Sequence, residues 1–264
     1  MSQHATHPAA SKGNNNAHSA KDDAMSAQTG ELLSLRGVHA HYGKSHILHG
    51  IDLAIGRGEV ISLLGRNGAG RSTTMKSIMG LVDVTGGQIR IEGRDITNKR
   101  PFEIARAGLG FVPEEREVFA NLTVDENLRM GEQPRRADAP FWTVEQMFDY
   151  FPRLKERRGT RAGNLSGGEQ QMLTMCRSLL GNPKVMLIDE PTEGLAPKIV
   201  EVIADVIRDI HQRGVSVVLV EQKLTIALKV STRVSVMGHG RIVFEGPPAE
   251  LQQRQDVVQE WLAV

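Results

Sequence analysis

The sequence predicts an α/β fold: a mainly parallel sheet, a small antiparallel β subdomain beside it, and an inserted α-helical subdomain. Three observations carry this. Residues 60–64, 185–188 and 215–220 are short, nearly all-apolar runs, as expected of strands buried on both faces. Amphipathic helical stretches alternate with them, which requires crossover connections and puts ligands at the strands' carboxyl ends. Residues from about 100 to 165 carry more charge, Pro and Arg and show helical periodicity, with the inserted subdomain at about 115–165.

Taken in order, residues 1–30 are rich in Ala, Ser, Asn and His and lack Leu, Ile and Val up to Leu32. Such a segment buries too little apolar surface to offset its ordering entropy, so a disordered tail is expected. It has no apolar stretch typical of a secretory signal. Leu33, Leu35 and Val38 suggest a first strand, and Ile51, Leu53 and Ile55 alternate as a second. A further strand is expected at 88–91, after Gly86-Gly87. Helical periodicity appears at 102–107, 124–130 and 144–154. Ser166 is placed to cap a helix over 166–180. Pro197 opens another, whose Ile199, Val200, Val202, Ile203, Val206, Ile207 and Ile210 follow a 3.6-residue period until Gly214. Residues 234–237 and 242–244 flank Gly238-His239-Gly240 as a hairpin.

Composition narrows the function. The 264 residues hold 32 Lys and Arg against 31 Asp and Glu, a net +1, and 4% aromatics. Neither charge nor stacking surface argues for nucleic acid. The single cysteine, Cys176, excludes an intrachain disulfide and a Cys-cluster metal site. It reads, with Met172 and Met175, as helix packing; Trp261 reads as packing for the last helix. His4, His7 and His18 are too sparse in the tail for a metal site. No apolar run approaches the roughly 18–20 residues of a membrane span.

The strongest single feature is Gly65-Arg66-Asn67-Gly68-Ala69-Gly70-Arg71-Ser72-Thr73. It follows an apolar strand and precedes a helical run at 74–79, the context of a P-loop. The glycines let backbone N–H groups turn around a phosphate, and the helix N-terminus adds its dipole. Ser72 would place its hydroxyl on Mg²⁺. Arg71 stands where such loops carry Lys. The charge is kept, but a forked planar group replaces a compact ammonium, and impaired hydrolysis is expected. The core is therefore read as a P-loop NTPase (RecA-like) core.

Four more motifs follow a familiar order: Tyr42-Gly43, Leu165-Ser166-Gly167-Gly168-Glu169-Gln170, the strand ending in Asp189-Glu190, and Glu221-Gln222. With them the sequence resembles, over about 32–264, the ATP-binding subunits of ABC transporters. Phe111-Val-Pro-Glu-Glu-Arg116, Gly194-Leu-Ala-Pro197 and Val220-Glu-Gln222 narrow the resemblance to branched-chain amino-acid importers. Related branches import urea or short amides. Most relatives have Gln at the position of Glu114, His at that of Gln222, and many have Asp at that of Ala196.

The resemblance implies an ABC-type ATPase using ATP and Mg²⁺, with roles that follow by position. Tyr42 offers a ring face to adenine; the alternative is an edge tyrosine. Asp189 holds Mg²⁺ through water, and Glu190 is the general base. Glu114 touches the metal or water shell, or else is a solvated acid. Gln222 positions the γ-phosphate or the water but cannot shuttle a proton. Ser166, Gly167, Gly168 and Glu169 face the nucleotide of a partner in a head-to-tail dimer, homo- or heteromeric. Two transmembrane permease subunits, an external solute-binding protein and a peripheral place on the cytoplasmic face of the inner membrane complete the implied assembly. Residues 111–131 would seat the permease. The rival readings are a soluble ABC ATPase of DNA repair or translation, and a nucleotide-gated clamp with little hydrolysis.

Overall fold

The computed structural model describes residues 30–263. The tail expected over 1–30 lies, apart from Gly30, outside the described residues. β1 (Glu31–Tyr42) and β2 (Ser45–Gly56) form a long antiparallel hairpin. β3 (Val60–Leu64) enters the second sheet, and helix α1 (Arg71–Ile78) follows the P-loop. β4 (Val84–Ile91) returns to pair antiparallel with β1, and β5 (Arg94–Asp95) extends that sheet, giving the order β2-β1-β4-β5. The chain continues through α2 (Pro101–Ala107), β6 (Leu109–Val112), α3 (Val124–Gly131), α4 (Val144–Tyr150) and α5 (Pro152–Glu156). Then come α6 (Gly167–Leu179), β7 (Val185–Asp189), α7 (Pro197–Gln212), β8 (Ser216–Val220) and α8 (Leu224–Val230). β9 (Arg233–Gly238), β10 (Arg241–Gly246), α9 (Pro248–Gln253) and α10 (Gln255–Trp261) close the fold.

The second sheet runs β10-β9-β3-β8-β7-β6, parallel from β9 to β6 with β10 antiparallel at the edge. Its central strands are apolar on both faces because both faces are covered. Val217 and Leu219 of β8 point into the core shared with α6 and the helices after β6. Val218 and Val220 point into the core shared with the antiparallel sheet and α1. β7 divides in the same way, with Met186 and Ile188 on one side and Val185 and Leu187 on the other. A third cluster packs Leu251 and Val257 of the last two helices against β9.

Three sequence expectations are corrected, and one helix is added. β6 lies inside the stretch read as helical; four residues are too few for periodicity to show. β4 runs through Gly86-Gly87 rather than starting after them, where β1 shifts register opposite. The expected helix over 144–154 is two helices, because Pro152 starts a new one after Phe151 leaves helical conformation. Helix α8 was not foreseen. Between β6 and α6, three helices fold back on a short stem. The Val124 N–H donates to the Thr160 carbonyl and the Ala162 N–H to that of Leu122. Trp142, Phe148, Phe151 and Leu154 bury this segment against Leu173, Met175 and Cys176.

Parallel register brings four strand ends to one edge. Leu63 pairs with Val220, Val220 with Asp189, and Ile188 with Val112. The residues that follow these pairs are the phosphate loop, Glu221-Gln222, Glu190 and Glu114. Gly240, in the β9–β10 turn, straps the two sheets together on the P-loop side. Its N–H donates to the Ala69 carbonyl (3.1 Å) and its carbonyl accepts from the His49 N–H (2.8 Å). Its φ is +72°, and an added Cβ would lie 2.0 Å from the Ile47 carbonyl oxygen. Gly240→Ala is expected to lower stability by about 2–3 kcal/mol in urea unfolding.

Candidate nucleotide site

The P-loop leaves β3 through Gly65, whose φ is +149° and where a Cβ would sit 2.5 Å from the Met237 carbonyl oxygen. Close backbone packing therefore excludes a side chain there. Helix α1 starts at Arg71 with Gly70 before it and no side-chain cap. An uncapped N-terminus is an anion site in waiting. It opens on a cavity of about 270 Å³ lined by Asn67, Gly68, Ala69, Gly70, Arg71, Ser72, Thr73, Glu114, Glu190, Glu193 and Gln222.

Arg71 is almost fully buried, and both terminal nitrogens of its guanidinium are hydrogen-bonded. Nη2 lies 2.9 Å from Glu190 Oε1 and 3.2 Å from Asn67 Oδ1, while Nη1 donates to the Glu221 carbonyl at 3.1 Å. The other Glu190 oxygen accepts from Gln222 Nε2 at 2.6 Å. Both oxygens of Glu190 are thus occupied. Glu190 also holds φ at +45°, a conformation costly for a residue with a Cβ and typical of functional positions. Its N–H is fixed to the Val220 carbonyl at 2.9 Å.

Asp189, 1% exposed, accepts from Ser72 Oγ at 3.2 Å. Burial, only partly countered by that hydrogen bond, and the nearby Glu190 charge push its pKa up to about 6. Glu114 is exposed at the rim. Desolvation and the charges of Glu190, Glu193 and Asp189 raise its pKa. Oxygens of Glu114, Glu190 and Glu193 lie within 4.8 Å of one another. So backbone donors suited to phosphate meet a crowd of carboxylates that repels it. An anion enters such a pocket most readily together with a divalent cation. Ser72, Asp189 and Glu114 offer oxygen only, which suits a hard ion such as Mg²⁺.

Other expected residues lie elsewhere. Tyr42, 49% exposed, sits at the end of β1 and does not line the cavity. Arg66 turns away from it, its Nε 2.9 Å from the Ala263 carbonyl. Ser166 caps α6 in a reciprocal box with Glu169: Glu169 N–H to Ser166 Oγ at 3.3 Å, Ser166 N–H to Glu169 Oε2 at 2.8 Å. Burial opposes ionisation of Glu169, but the Ser166 hydrogen bonds and Arg157 outweigh it and hold the pKa low. None of Ser166, Gly167, Gly168 or Glu169 lines the P-loop cavity.

Two residues lacked an assigned role in the sequence. Glu193 joins the acidic cluster because the turn after β7 folds it back; the second acid, three residues beyond Glu190, was the available signal. Glu221 is buried and accepts from Thr192 Oγ1 at 2.7 Å, while its carbonyl anchors Arg71. Backbone anchoring leaves no trace in a motif.

An unfolded aspartate ionises near 4, roughly two units below folded Asp189. Between those values the folded chain keeps a proton the unfolded chain has lost. Stability therefore falls as pH rises from 4 to 6 and stays lower above. In nucleotide-free protein, Asp189→Asn is expected to gain about 2–3 kcal/mol at pH 7.5 and roughly half of that at pH 5, measured by urea unfolding.

Comparison with known proteins agrees with this geometry. The ABC transporter family model matches residues 48–193. The high-affinity branched-chain amino acid transport ATP-binding protein BraG of Pseudomonas aeruginosa is 42% identical, over 83% of this chain and 94% of its own. The probable branched-chain amino acid transport ATP-binding protein LivF of Archaeoglobus fulgidus is 36% identical, over 85% and 95%. The ADP conformation of MJ1267, an ATP-binding cassette of an ABC transporter, superposes with a TM-score of 0.73 at 28% identity, over 88% of this chain and 98% of that one. A dimeric post-hydrolysis state of the cassette MJ0796 bound to ADP and Pi gives 0.71 at 25%, over 82% and 98%. With its phosphate loop, its acid-tipped strand and its two sheets in this arrangement, the chain belongs to the ABC transporter family, as an ATP-binding protein with that family's ATPase function.

Proposed function

We propose that this subunit hydrolyses MgATP at a head-to-tail dimer interface to drive import of branched-chain amino acids or related small solutes. The solute rests on the names of BraG and LivF, which this chain matches over nearly their whole length; urea or short amides are the neighbouring alternative. The observation that carries the mechanism is the Glu190 carboxylate at the cavity wall, held between Arg71 and Gln222.

The P-loop amides from Gly68 to Thr73 and the α1 dipole bind the phosphates, and Tyr42 offers its exposed ring to adenine. Ser72, Asp189 and Glu114 would hold Mg²⁺, which when bound neutralises phosphate charge. An incoming triphosphate gives Arg71 a new anionic acceptor, and release of Glu190 frees that carboxylate to accept a proton from the attacking water. Gln222 hydrogen-bonds the same water or the γ-phosphate. Ser166, Gly167 and Gly168 would close the site of a second, homologous subunit; that the MJ0796 cassette is dimeric with ADP and Pi bound supports a pairing of two subunits. Homo- and heterodimers both satisfy it.

Among the described residues no helix is long and apolar enough to cross a membrane. Two permease subunits, fed by an external solute-binding protein, would supply the membrane part, with this chain peripheral on the cytoplasmic face. A groove of about 550 Å³ between the core and the helices after β6, with Phe102, Phe111, Gly131 and Arg136 in its wall, is the proposed permease seat.

A second reading is favoured by one observation. Arg71 is paired with Glu190 inside the fold, and a guanidinium that stays there would leave a nucleotide-gated clamp with little turnover. Glu190→Gln separates the readings in a Mg-ATPase assay with the purified protein. A hydrolase loses turnover by a factor of about 10² or more while keeping ATP and accumulating an ATP-bound dimer; a clamp changes little. Arg71→Lys is expected to raise the ATPase rate, because a lysine makes one point contact and releases Glu190 more readily. An unchanged or lower rate would refute that role for Arg71.

A further inference from the structure

The β1–β2 hairpin gathers four histidines that nucleotide chemistry does not use. His39 pairs across the strands with His49, and His41 with His46. A register shift between Ala40 and His41 skips Ile47, so all four rings share one face of the hairpin. His46 is the hub. Its ring centroid lies 4.1 Å from that of His41, 3.9 Å from His49 and 5.2 Å from His39. Its Nε2 is 3.0 Å from His39 Nδ1. All four are half-buried, and among the described residues no carboxylate forms an ion pair with any of them.

A neutral imidazole carries one N–H donor and one lone pair. The Thr85 hydroxyl points at the His39 carbonyl (3.3 Å) and lies 2.8 Å from His41 Nδ1. With the hydroxyl proton directed to the carbonyl, His41 Nδ1 is the donor and its lone pair sits on Nε2. A second hydrogen bond that fixes the tautomer of a metal-binding histidine is the usual companion of such a ligand.

We propose that His39, His41, His46 and His49 form a site for a borderline divalent transition-metal ion, Zn²⁺ being the simplest, separate from the Mg²⁺ position at Ser72 and Asp189. The hydrogen bond between His39 Nδ1 and His46 Nε2 holds two ring nitrogens 3.0 Å apart, near the roughly 3.3 Å between two nitrogens on one tetrahedral Zn²⁺; the donating ring changes tautomer so that both lone pairs face the ion. The rings are stacked rather than converged on one point, so capture requires side-chain rotation of these half-buried histidines on their shared face of the four-stranded sheet. Imidazole donors select Zn²⁺, Ni²⁺ or Cu²⁺ over Mg²⁺, so cellular Mg²⁺ does not compete. The cluster adjoins the nucleotide site: Tyr42 follows His41, and His49 joins the P-loop through Gly240.

The test uses the full chain, stripped with a chelator and titrated with Zn²⁺ against a chromophoric chelator of micromolar affinity. One equivalent should bind. His46→Gln and His41→Gln should each weaken it by about tenfold or more, with circular dichroism unchanged. Should His46→Gln fail to fold, His41→Gln decides alone, since His41 is half-buried near the hairpin tip. His4, His7 and His18 remain in every variant, so zinc held by the tail would be independent of these substitutions. Failure to capture Zn²⁺ from the chelator, or capture unchanged in the variants, overturns the site.

Discussion

Burial of the parallel sheet on both faces is the constraint on which the rest depends. Short of their carboxyl ends, strands β3, β7 and β8 have no face left for a polar side chain except at Ser62 and Ser216, which are hydrogen-bonded. Charge is therefore displaced to the strand ends. Parallel register then aligns four of those ends, so that one edge collects an uncapped helix N-terminus, a buried aspartate and a strained glutamate. The catalytic potential of the fold follows from where the sheet cannot accept charge.

The Arg71–Glu190 pair is the second determinant. Both side chains are less than one-tenth exposed. Removing one partner of such a pair leaves an uncompensated buried charge, whereas exchanging one acceptor for another keeps it compensated. This favours a device in which the guanidinium moves between carboxylate and phosphate rather than one in which it stands alone. Asn67 and the Glu221 carbonyl hold the guanidinium within reach of both.

The signature residues are built with equal economy but point elsewhere. Ser166 and Glu169 complete each other's hydrogen bonds at the start of α6, and Arg157 neutralises the glutamate. That leaves the helix terminus ordered, with none of its residues lining the chain's own P-loop cavity. That placement is what the proposed head-to-tail pairing with a second subunit rests on.

By itself the sequence determined the two-faced strands, the P-loop, the acid pair, the capped signature helix and the family, because each rests on local spacing and on side-chain chemistry within a few residues. It missed β6, the break at Pro152 and helix α8, where segments are too short for a period to declare itself and neighbours decide the conformation. Only the tertiary structure decided that Arg71 grips Glu190, that Glu221 anchors it through a backbone carbonyl, that Glu193 returns to the cavity, and that four histidines from two strands meet on one face. These contacts join residues up to 150 positions apart. Their energy comes from exclusion of water and from register, neither of which is written in any one stretch of chain.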